Sequence, residues 1–255
     1  MTWNLLHGGG SRLSRIILLV ERERPDVLTL QELRGFPRDA FEAATGMIGH
    51  VAPSLSGQPV GVFVRPWLTI TRRSSFRWQL HHAASAVTVR ACGESLSVVS
   101  THLNPYAPER RRREAVWLTA RLAHRGPVVL AGDLNSLSVP GPLPPGYRKR
   151  HLGPDRKIDT RAMAAFARYF SDAWLEAGQG AGDTVPTALK GAEFAPMRLD
   201  YVLLGGGLHA SSARVVRDDP LASDHYPVVV SLPFGATASC RRPGGACSAS
   251  PPSPR

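Results

Sequence analysis

The chain has 255 residues, of which 43% are apolar, enough to fill the core of one domain. No apolar run approaches the ~20 residues of a membrane-spanning helix, and no stretch has the layout of an export signal, so we expect a cytoplasmic protein without a membrane span. We also expect a monomer. The net charge of +11 is compatible with a polyanionic partner such as nucleic acid, but nearly all the cations are arginine, which biased codon usage also produces.

Short apolar runs separated by helical patterns make up the first half of the chain. Residues 2–6 predict a strand, and Ser11 is placed to cap a helix that continues to about residue 24, where Pro25 ends it. Residues 27–30 predict a buried strand that leads almost directly into Glu32. The further elements expected here are a helix near 39–44 and strands near 60–65, 67–73 and 86–90.

The clearest strand signal of the second half is the run VVL at 128–130, which indicates a strand buried on both faces. Asp133 and Asn135 follow it, and as alternate residues of an extended chain they leave the same face. They are also compatible with a polar turn in which both side chains bond their own backbone. The other expected elements are a strand at 96–101 that ends at His102, a helix from Pro108, a helix around 160–176, and strands at 199–204 and 226–232.

Two kinds of strand connection occur together in this pattern. Some strands follow each other as in hairpins, and others are joined by long helical segments, which predicts two sheets flanked by helices. We expect them to form one domain over residues 1–234. Residues 235–255 are rich in Pro, Ser, Gly and Arg without apolar periodicity, and they predict a disordered tail.

Polar residues recur where the predicted strands end. Taken singly, each is compatible with a buried amide, a capping carboxylate or a histidine satisfied at the surface. Together they would be costly to bury in a core without function, whereas a shared cleft at one edge of the sheets removes that cost. The residues are Asn4, Glu32, His102, Asn104, Asp133, Asn135, Asp200, Asp224 and His225.

The types of side chain in this set narrow the chemistry. Carboxylate and amide oxygens without thiolates suit Mg²⁺ or Mn²⁺ rather than zinc. Hydrolysis of a phosphate ester needs such an ion, an oriented water, hydrogen-bond donors and a route for a proton, and the set contains each part. As neighbours on an extended segment, Asp224 and His225 point in opposite directions, so Asp200 is the candidate to orient His225.

A cluster of four arginines at 110–113 opens the helix that follows His102. Arg111, Ala115, Leu118 and Leu122 share one face at helical spacing, which predicts that Arg111 points toward the protein body near His102. In that position we expect Arg111 to contact a substrate phosphate. The alternative is that all four arginines form a solvated face, and we favour that alternative for the other three.

Six motifs occur in order along the chain: TWN near the start, LQE at 30–32, STHLN at 100–104, AGDLNS at 131–136, RLDYVLL at 198–204 and SDHYP at 223–227. In this order they resemble the motifs of the endonuclease/exonuclease/phosphatase superfamily. The resemblance implies a DNase I-like α/β (α+β) fold, a four-layer sandwich of two packed mixed β-sheets flanked by helices. It places the site at one edge of the sheets.

The resemblance also implies roles for individual residues. Glu32 would be the main metal ligand, with Asn4 beside it and Asp224 near the ion. The other implied roles are catalytic: Asp133 activates the attacking water, Asn135 and His225 bind the phosphate, His225 transfers a proton while Asp200 orients it, and His102 faces the transition state.

The function expected on these grounds is metal-dependent hydrolysis of phosphodiester bonds in DNA or RNA. The basic chain and RLDYVLL, which is similar to the abasic-site endonucleases, favour a nuclease. The alternative is a phosphatase or phosphodiesterase for an inositol phosphate, a sugar phosphate or sphingomyelin. Residues 195–203 lack the Trp-Cys pair of the inositol branch, and an export signal typical of the sphingomyelin branch is not recognised. A degenerate binding module fits poorly, because each implied catalytic position is filled.

Overall fold

Two mixed β-sheets packed face to face form the centre of the molecule in a computed structural model that describes residues 1–91, 93–140, 149–190 and 195–234. The expected tail at 235–255 lies outside the described residues. The strands are β1 (Thr2–Asn4), β2 (Val27–Gln31), β3 (Ile48–Ala52), β4 (Val60–Val64), β5 (Thr69–Phe76), β6 (Ala83–Ala91), β7 (Glu94–His102), β8 (Val128–Asp133), β9 (Ser171–Asp172), β10 (Gly178–Gln179), β11 (Asp200–Gly205), β12 (Ser212–Val215) and β13 (Val228–Ser231).

The strands divide into a seven-stranded sheet with the order β10-β12-β13-β1-β2-β4-β3 and a six-stranded sheet with the order β5-β6-β7-β8-β11-β9. Each sheet contains both parallel and antiparallel neighbours, such as β7 beside β8 and β8 beside β11. The helices are α1 (Leu13–Glu23), α2 (Arg38–Thr45), α3 (Pro108–Leu122), α4 (Arg161–Phe166) and α5 (Ala173–Ala177), with short 3-10 turns at His7–Arg12 and Lys149–His151. None of these helices is long and apolar enough to cross a membrane.

Three apolar layers hold the sandwich together. One contains Ile16 of α1 and Phe41 of α2 against the seven-stranded sheet, and a second contains Leu118 of α3 and Phe166 of α4 against the six-stranded sheet. The third lies between the sheets and contains valines of both, among them Val62. Helices therefore cover both outer faces, which confirms the expected four-layer α/β sandwich.

Strand β8 shows why an unbroken apolar run suits this position. Val128 and Leu130 point toward the helices, while Val129 and Ala131 point toward the other sheet. Because successive side chains of a strand alternate between its faces, a strand covered on both sides has no face left for polar residues. Polar residues are then placed at the end of the strand, where Asp133 stands.

The register of the strands gathers the polar ends at one edge. His102 of β7 is the pairing partner of Asp133 of β8, which is in turn the partner of Asp200 of β11. In the other sheet Asn4 of β1 pairs with Gln31 of β2, directly before Glu32. The same edge of the sandwich thus receives side chains from both sheets.

Two local expectations are wrong. The single helix expected around 160–176 is divided by β9, whose Ser171 and Asp172 pair with β11. The Asp172 carboxylate accepts a hydrogen bond from the backbone N–H of Trp174, and such a cap begins a new helix instead of continuing the old one.

The expected helix cap at Ser11 is also wrong, because three glycines with positive φ shape a 3-10 turn and α1 begins only at Leu13. The short or weakly alternating strands β3, β10 and β12 were not expected.

Candidate active site

The centre of the site is the Asp133 carboxylate, which is 2% exposed at the end of β8. Its Oδ2 atom lies 3.4 Å from Nε2 of His102 and 3.7 Å from Nε2 of His225. The other ring nitrogen of His225, Nδ1, is hydrogen-bonded to Oδ2 of Asp200 over 2.7 Å, and this contact orients the ring. The sequence-based expectation that Asp200 rather than Asp224 orients His225 agrees with this contact.

Asn4 connects the two sheets at the site. Its Nδ2 group donates to Oε1 of Glu32 and to Oδ2 of Asp133, both at 3.1 Å. Its Oδ1 atom accepts from the backbone N–H of Leu6, so the amide is fixed at both ends. Glu32 and Asp133, which are distant in sequence, are thereby held by one amide group.

The loop that carries His225 is fastened to β1. The indole N–H of Trp3 donates to the His225 carbonyl over 2.8 Å, and the Ser223 hydroxyl donates to the Asn4 carbonyl over 2.6 Å. Trp3 and Ser223 are both buried. These contacts fix the C-terminal part of the fold against the first strand, although more than 200 residues separate them in sequence.

Two of the site residues have a left-handed backbone, with φ of 58° at Glu32 and 48° at Asn135. Non-glycine residues adopt this conformation rarely, and it is concentrated at functional sites. At Asn135 the turn is stabilised by the backbone N–H, which donates to Oδ1 of Asp133 over 2.9 Å, while Nδ2 donates to the Leu103 carbonyl over 3.2 Å. The amide of Asn135 keeps a second N–H for another acceptor.

Asp133 and the two histidines beside it, His102 and His225, have pKa values shifted from their ordinary values. Burial raises the pKa of Asp133, against the opposing charges of His102 and His225. Burial lowers the pKa of His102, so this ring is neutral at neutral pH. Burial also acts to lower the pKa of His225, but the charges of Asp200 and Asp133 and the hydrogen bond to Asp200 outweigh it, and the pKa lies well above 6.5. The site therefore combines a basic carboxylate with an imidazolium.

Arg111 lies on the inward face of α3, as its helical spacing predicts, and is 1% exposed. Its guanidinium donates to the carbonyls of Asn104 and Arg150 over 3.0 and 2.6 Å. Burial lowers the pKa of Arg111 to about 10, which leaves it charged at neutral pH. The described contacts use two of its five N–H groups, and its contact with a substrate phosphate stays a prediction.

Asp224 forms an ion pair with Lys190 over 3.0 Å and does not contact Asp133 or Glu32 in the described structure. Burial would raise the pKa of Asp224, but the charges of His225 and Lys190 outweigh it and lower the pKa. The structure thus brings Asn4 and Glu32 into contact, while the role expected for Asp224 near an ion stays a prediction.

Two groups of side chains at this edge could hold a divalent ion. One oxygen or nitrogen atom from each of Asp133, Asp200 and His225 lies within 4.8 Å of the others. However, the close contact of His225 Nδ1 with Asp200 already uses one member of that set as a hydrogen-bond donor. The Glu32 carboxylate is a hard ligand of the kind that Mg²⁺ and Mn²⁺ prefer, so it fits the ion that the site chemistry calls for. The Asn4 amide faces Glu32 with Nδ2, and its oxygen would reach the same ion only by giving up the hydrogen bond from the Leu6 N–H.

Sequence reasoning missed several residues that line the site. His7 lies 3.9 Å from Glu32 through Nδ1, and that nitrogen accepts from Nε2 of Gln58 over 2.9 Å. His82 stacks on His102, with ring centroids 4.1 Å apart. A usable signal existed for His82, because it directly precedes β6, whose Ala83 pairs with His102, but the start of that strand was expected three residues too late.

Comparison with known proteins agrees with this architecture. Residues 1–225 match the model of the Endonuclease/Exonuclease/phosphatase family. The fold is similar to an endonuclease/exonuclease/phosphatase from Bacteroides vulgatus (16% identity, TM-score 0.74, 91% of this chain and 96% of that one). It is also similar to the mannosyl-6-phosphatase Bt3783 of Bacteroides thetaiotaomicron (15% identity, TM-score 0.71, 91% of this chain and 97% of that one). A third similar structure is a humanized D. rerio TDP2 (16% identity, TM-score 0.68, 91% of this chain and 96% of that one). None of the curated proteins matches the sequence significantly.

The family match over residues 1–225, together with this fold, defines a hydrolase of phosphate esters. The chain belongs to the endonuclease/exonuclease/phosphatase family.

Proposed function

We propose that this chain is a Mg²⁺- or Mn²⁺-dependent phosphodiesterase that cleaves DNA or RNA. The observation that carries the proposal is the convergence on Asp133 of side chains from three other strand ends, those of β1, β7 and β11, and from the loop of His225. The net charge of +11 supports a polyanionic substrate. The structural neighbours support the fold alone, because their identities are low.

Glu32 and Asn4 are the proposed ligands of the divalent ion. When bound, the ion would polarise a phosphoryl oxygen and offset the negative charge that develops there. Asp224, whose Oδ2 is paired with Lys190, is proposed to lie near the ion as a third carboxylate or amide group.

The chain's own residues account for the movement of protons. Asp133, a stronger base because burial raises its pKa, takes a proton from the water whose oxygen forms the new bond to phosphorus. His225, held as an imidazolium by Asp200, gives a proton to the oxygen that leaves as its bond to phosphorus breaks. The Nε2–H tautomer of neutral His102 and the free N–H of Asn135 donate to the non-bridging oxygens.

The test is an activity panel with purified protein and added Mg²⁺ or Mn²⁺. We expect cleavage of single- or double-stranded DNA or RNA, and loss of roughly 10²–10⁴ in kcat in an Asp133→Asn variant that keeps its circular dichroism and thermal midpoint. Asp218→Asn, which alters an exposed carboxylate, is the matched control and should remain fully active.

Two results would overturn the proposal. Intact nucleic acids together with turnover of a sugar phosphate, an inositol phosphate or sphingomyelin would assign the chain to the alternative substrate class. An active Asp133→Asn variant would remove Asp133 from its proposed role.

A further inference from the structure

A row of aromatic rings leads from the centre of the site to the surface. His102 stacks on His82 at 4.1 Å, His82 meets His81 edge-on at 4.5 Å, and His81 meets Tyr106 edge-on at 5.6 Å, all measured between ring centroids. The row begins beside Asp133 and ends at Tyr106, which is 68% exposed. The exposed end is thus connected to the reacting centre by direct ring contacts.

One buried carboxylate fixes the two chain segments that carry the outer rings. Oε1 of Glu114 accepts from the backbone N–H of His81 over 2.7 Å, and Oε2 accepts from the backbone N–H of Asn104 over 2.8 Å. Oδ1 of Asn104 in turn accepts from the backbone N–H of Tyr106 over 2.9 Å. The backbone at His81 and Tyr106 is therefore held in position before any ligand binds, although the Tyr106 side chain remains exposed to water.

Two ring nitrogens of the row lack hydrogen-bond partners among the described residues, and an arginine lies at the start of the neighbouring helix α3. Nε2 of His82 and Nδ1 of His102 are buried and have no hydrogen-bond partner among the described residues. Arg110 is exposed at the start of α3, one helical turn before Glu114, the carboxylate that fixes His81 and Asn104. Planar rings beside a cation match a nucleic acid strand, which carries a base and a phosphate at each unit.

We propose that His81 and Tyr106 form a stacking subsite for a nucleobase next to the scissile phosphate of single-stranded nucleic acid. The inference rests on the proposed function and specifies its substrate. A sugar phosphate without a base would gain little from the two rings, whereas each stacked base contributes to binding regardless of sequence.

The experiment measures binding in the presence of a chelator, so that it does not depend on cleavage. A fluorescently labelled thymidine oligonucleotide and an oligonucleotide of the same length with abasic sites throughout are titrated with the protein. We expect Tyr106→Ala to raise the Kd for the thymidine strand roughly 5- to 100-fold and to leave the already weak binding of the abasic strand unchanged. Tyr106→Phe, which keeps the ring, should restore binding.

Tyr169 supplies a matched control, because it also packs edge-on against a histidine, His124, at a ring distance of 5.2 Å. His124 follows the C-terminal end of α3 and Tyr169 follows α4, whereas Tyr106 precedes the N-terminal end of α3. Tyr169→Ala should bind the thymidine strand as the unchanged protein does.

The subsite is refuted if Tyr106→Ala binds the thymidine strand normally, if it weakens both strands equally, or if the unchanged protein binds neither strand. Its failure is distinguishable from failure of the proposed function. A protein that cleaves nucleic acid but is insensitive to Tyr106→Ala keeps the phosphodiesterase and loses only the subsite.

Discussion

His225 depends on Asp200 for its charge. The 2.7 Å contact and the negative charge of Asp200 help to keep the pKa of His225 well above 6.5, whereas burial alone would lower it. At neutral pH the proton is therefore present on the ring and available to a leaving oxygen. The pH at which activity is lost on the basic side reports this interaction.

Replacing Asp200 with Asn removes that charge but preserves the shape of the side chain. We expect the pKa of His225 to fall, so that the basic limb of the pH–kcat profile moves to lower pH and kcat at neutral pH drops roughly 10²–10⁴-fold. The pH–rate profile, together with NMR titration of the His225 ring, checks this. An unchanged basic limb would mean that His225 is not the acid.

Gly132 permits the close approach of β7 to β8 beside the site. Its φ is 146°, and a Cβ atom at this position would lie 1.9 Å from the Thr101 carbonyl oxygen. That contact is with backbone of the neighbouring strand, so it cannot be relieved by a side-chain rotation.

We therefore expect Gly132→Ala to destabilise the protein by roughly 2–4 kcal/mol and to separate the ends that carry His102 and Asp133. Urea unfolding measures the change in free energy. The control is Gly126→Ala, where φ is also positive but no atom lies within 4 Å of the added Cβ. Equal stabilities of the two variants would contradict this account of Gly132.

Glu114 connects α3 to the loops beside the site. Burial raises the pKa of Glu114 to about 7, although the hydrogen bonds from Asn104 and His81 act in the opposite direction. The folded state thus binds this proton more tightly than the unfolded chain, in which the carboxyl has its ordinary pKa of 4.5. The stabilising contribution is present at low pH and is lost as the pH rises toward about 7.

Glu114→Gln cannot titrate and should lack this contribution. We expect the unfolding free energy of the unchanged protein minus that of the variant to be more positive at about pH 5 than at about pH 7.5. Urea unfolding at the two values measures it. Parallel pH dependences of the two proteins would refute the shifted pKa.

The sequence predicts best those elements whose signal is local. The run at 128–130 is apolar throughout because helices and a second sheet cover β8. Polar residues are then placed at the end of the strand, so Asp133 stands out in the sequence directly after the apolar run. The helix expected at 160–176 was wrong because the pairing of Ser171 and Asp172 with β11 depends on distant residues. His82 was missed likewise, since its contact with His102 follows from the register of β6 with β7.

At the scale of the whole molecule, the apolar layers form without any of the proposed ion ligands. Removal of divalent ions with a chelator should therefore abolish phosphodiester hydrolysis while the far-ultraviolet circular dichroism stays unchanged. Added Mg²⁺ or Mn²⁺ should restore activity. Full activity in excess chelator would contradict the assignment of Glu32 and Asn4 as ion ligands.

The most direct test of the convergence of both sheets on one phosphate is a crystal structure with Mn²⁺ and a non-hydrolysable phosphodiester. We predict an anomalous peak for manganese beside Glu32 and Asn4, with the phosphate within hydrogen-bonding distance of Asn135 and His225. A peak held instead by Asp133, Asp200 and His225, or a phosphate bound away from Asp133, would contradict the account.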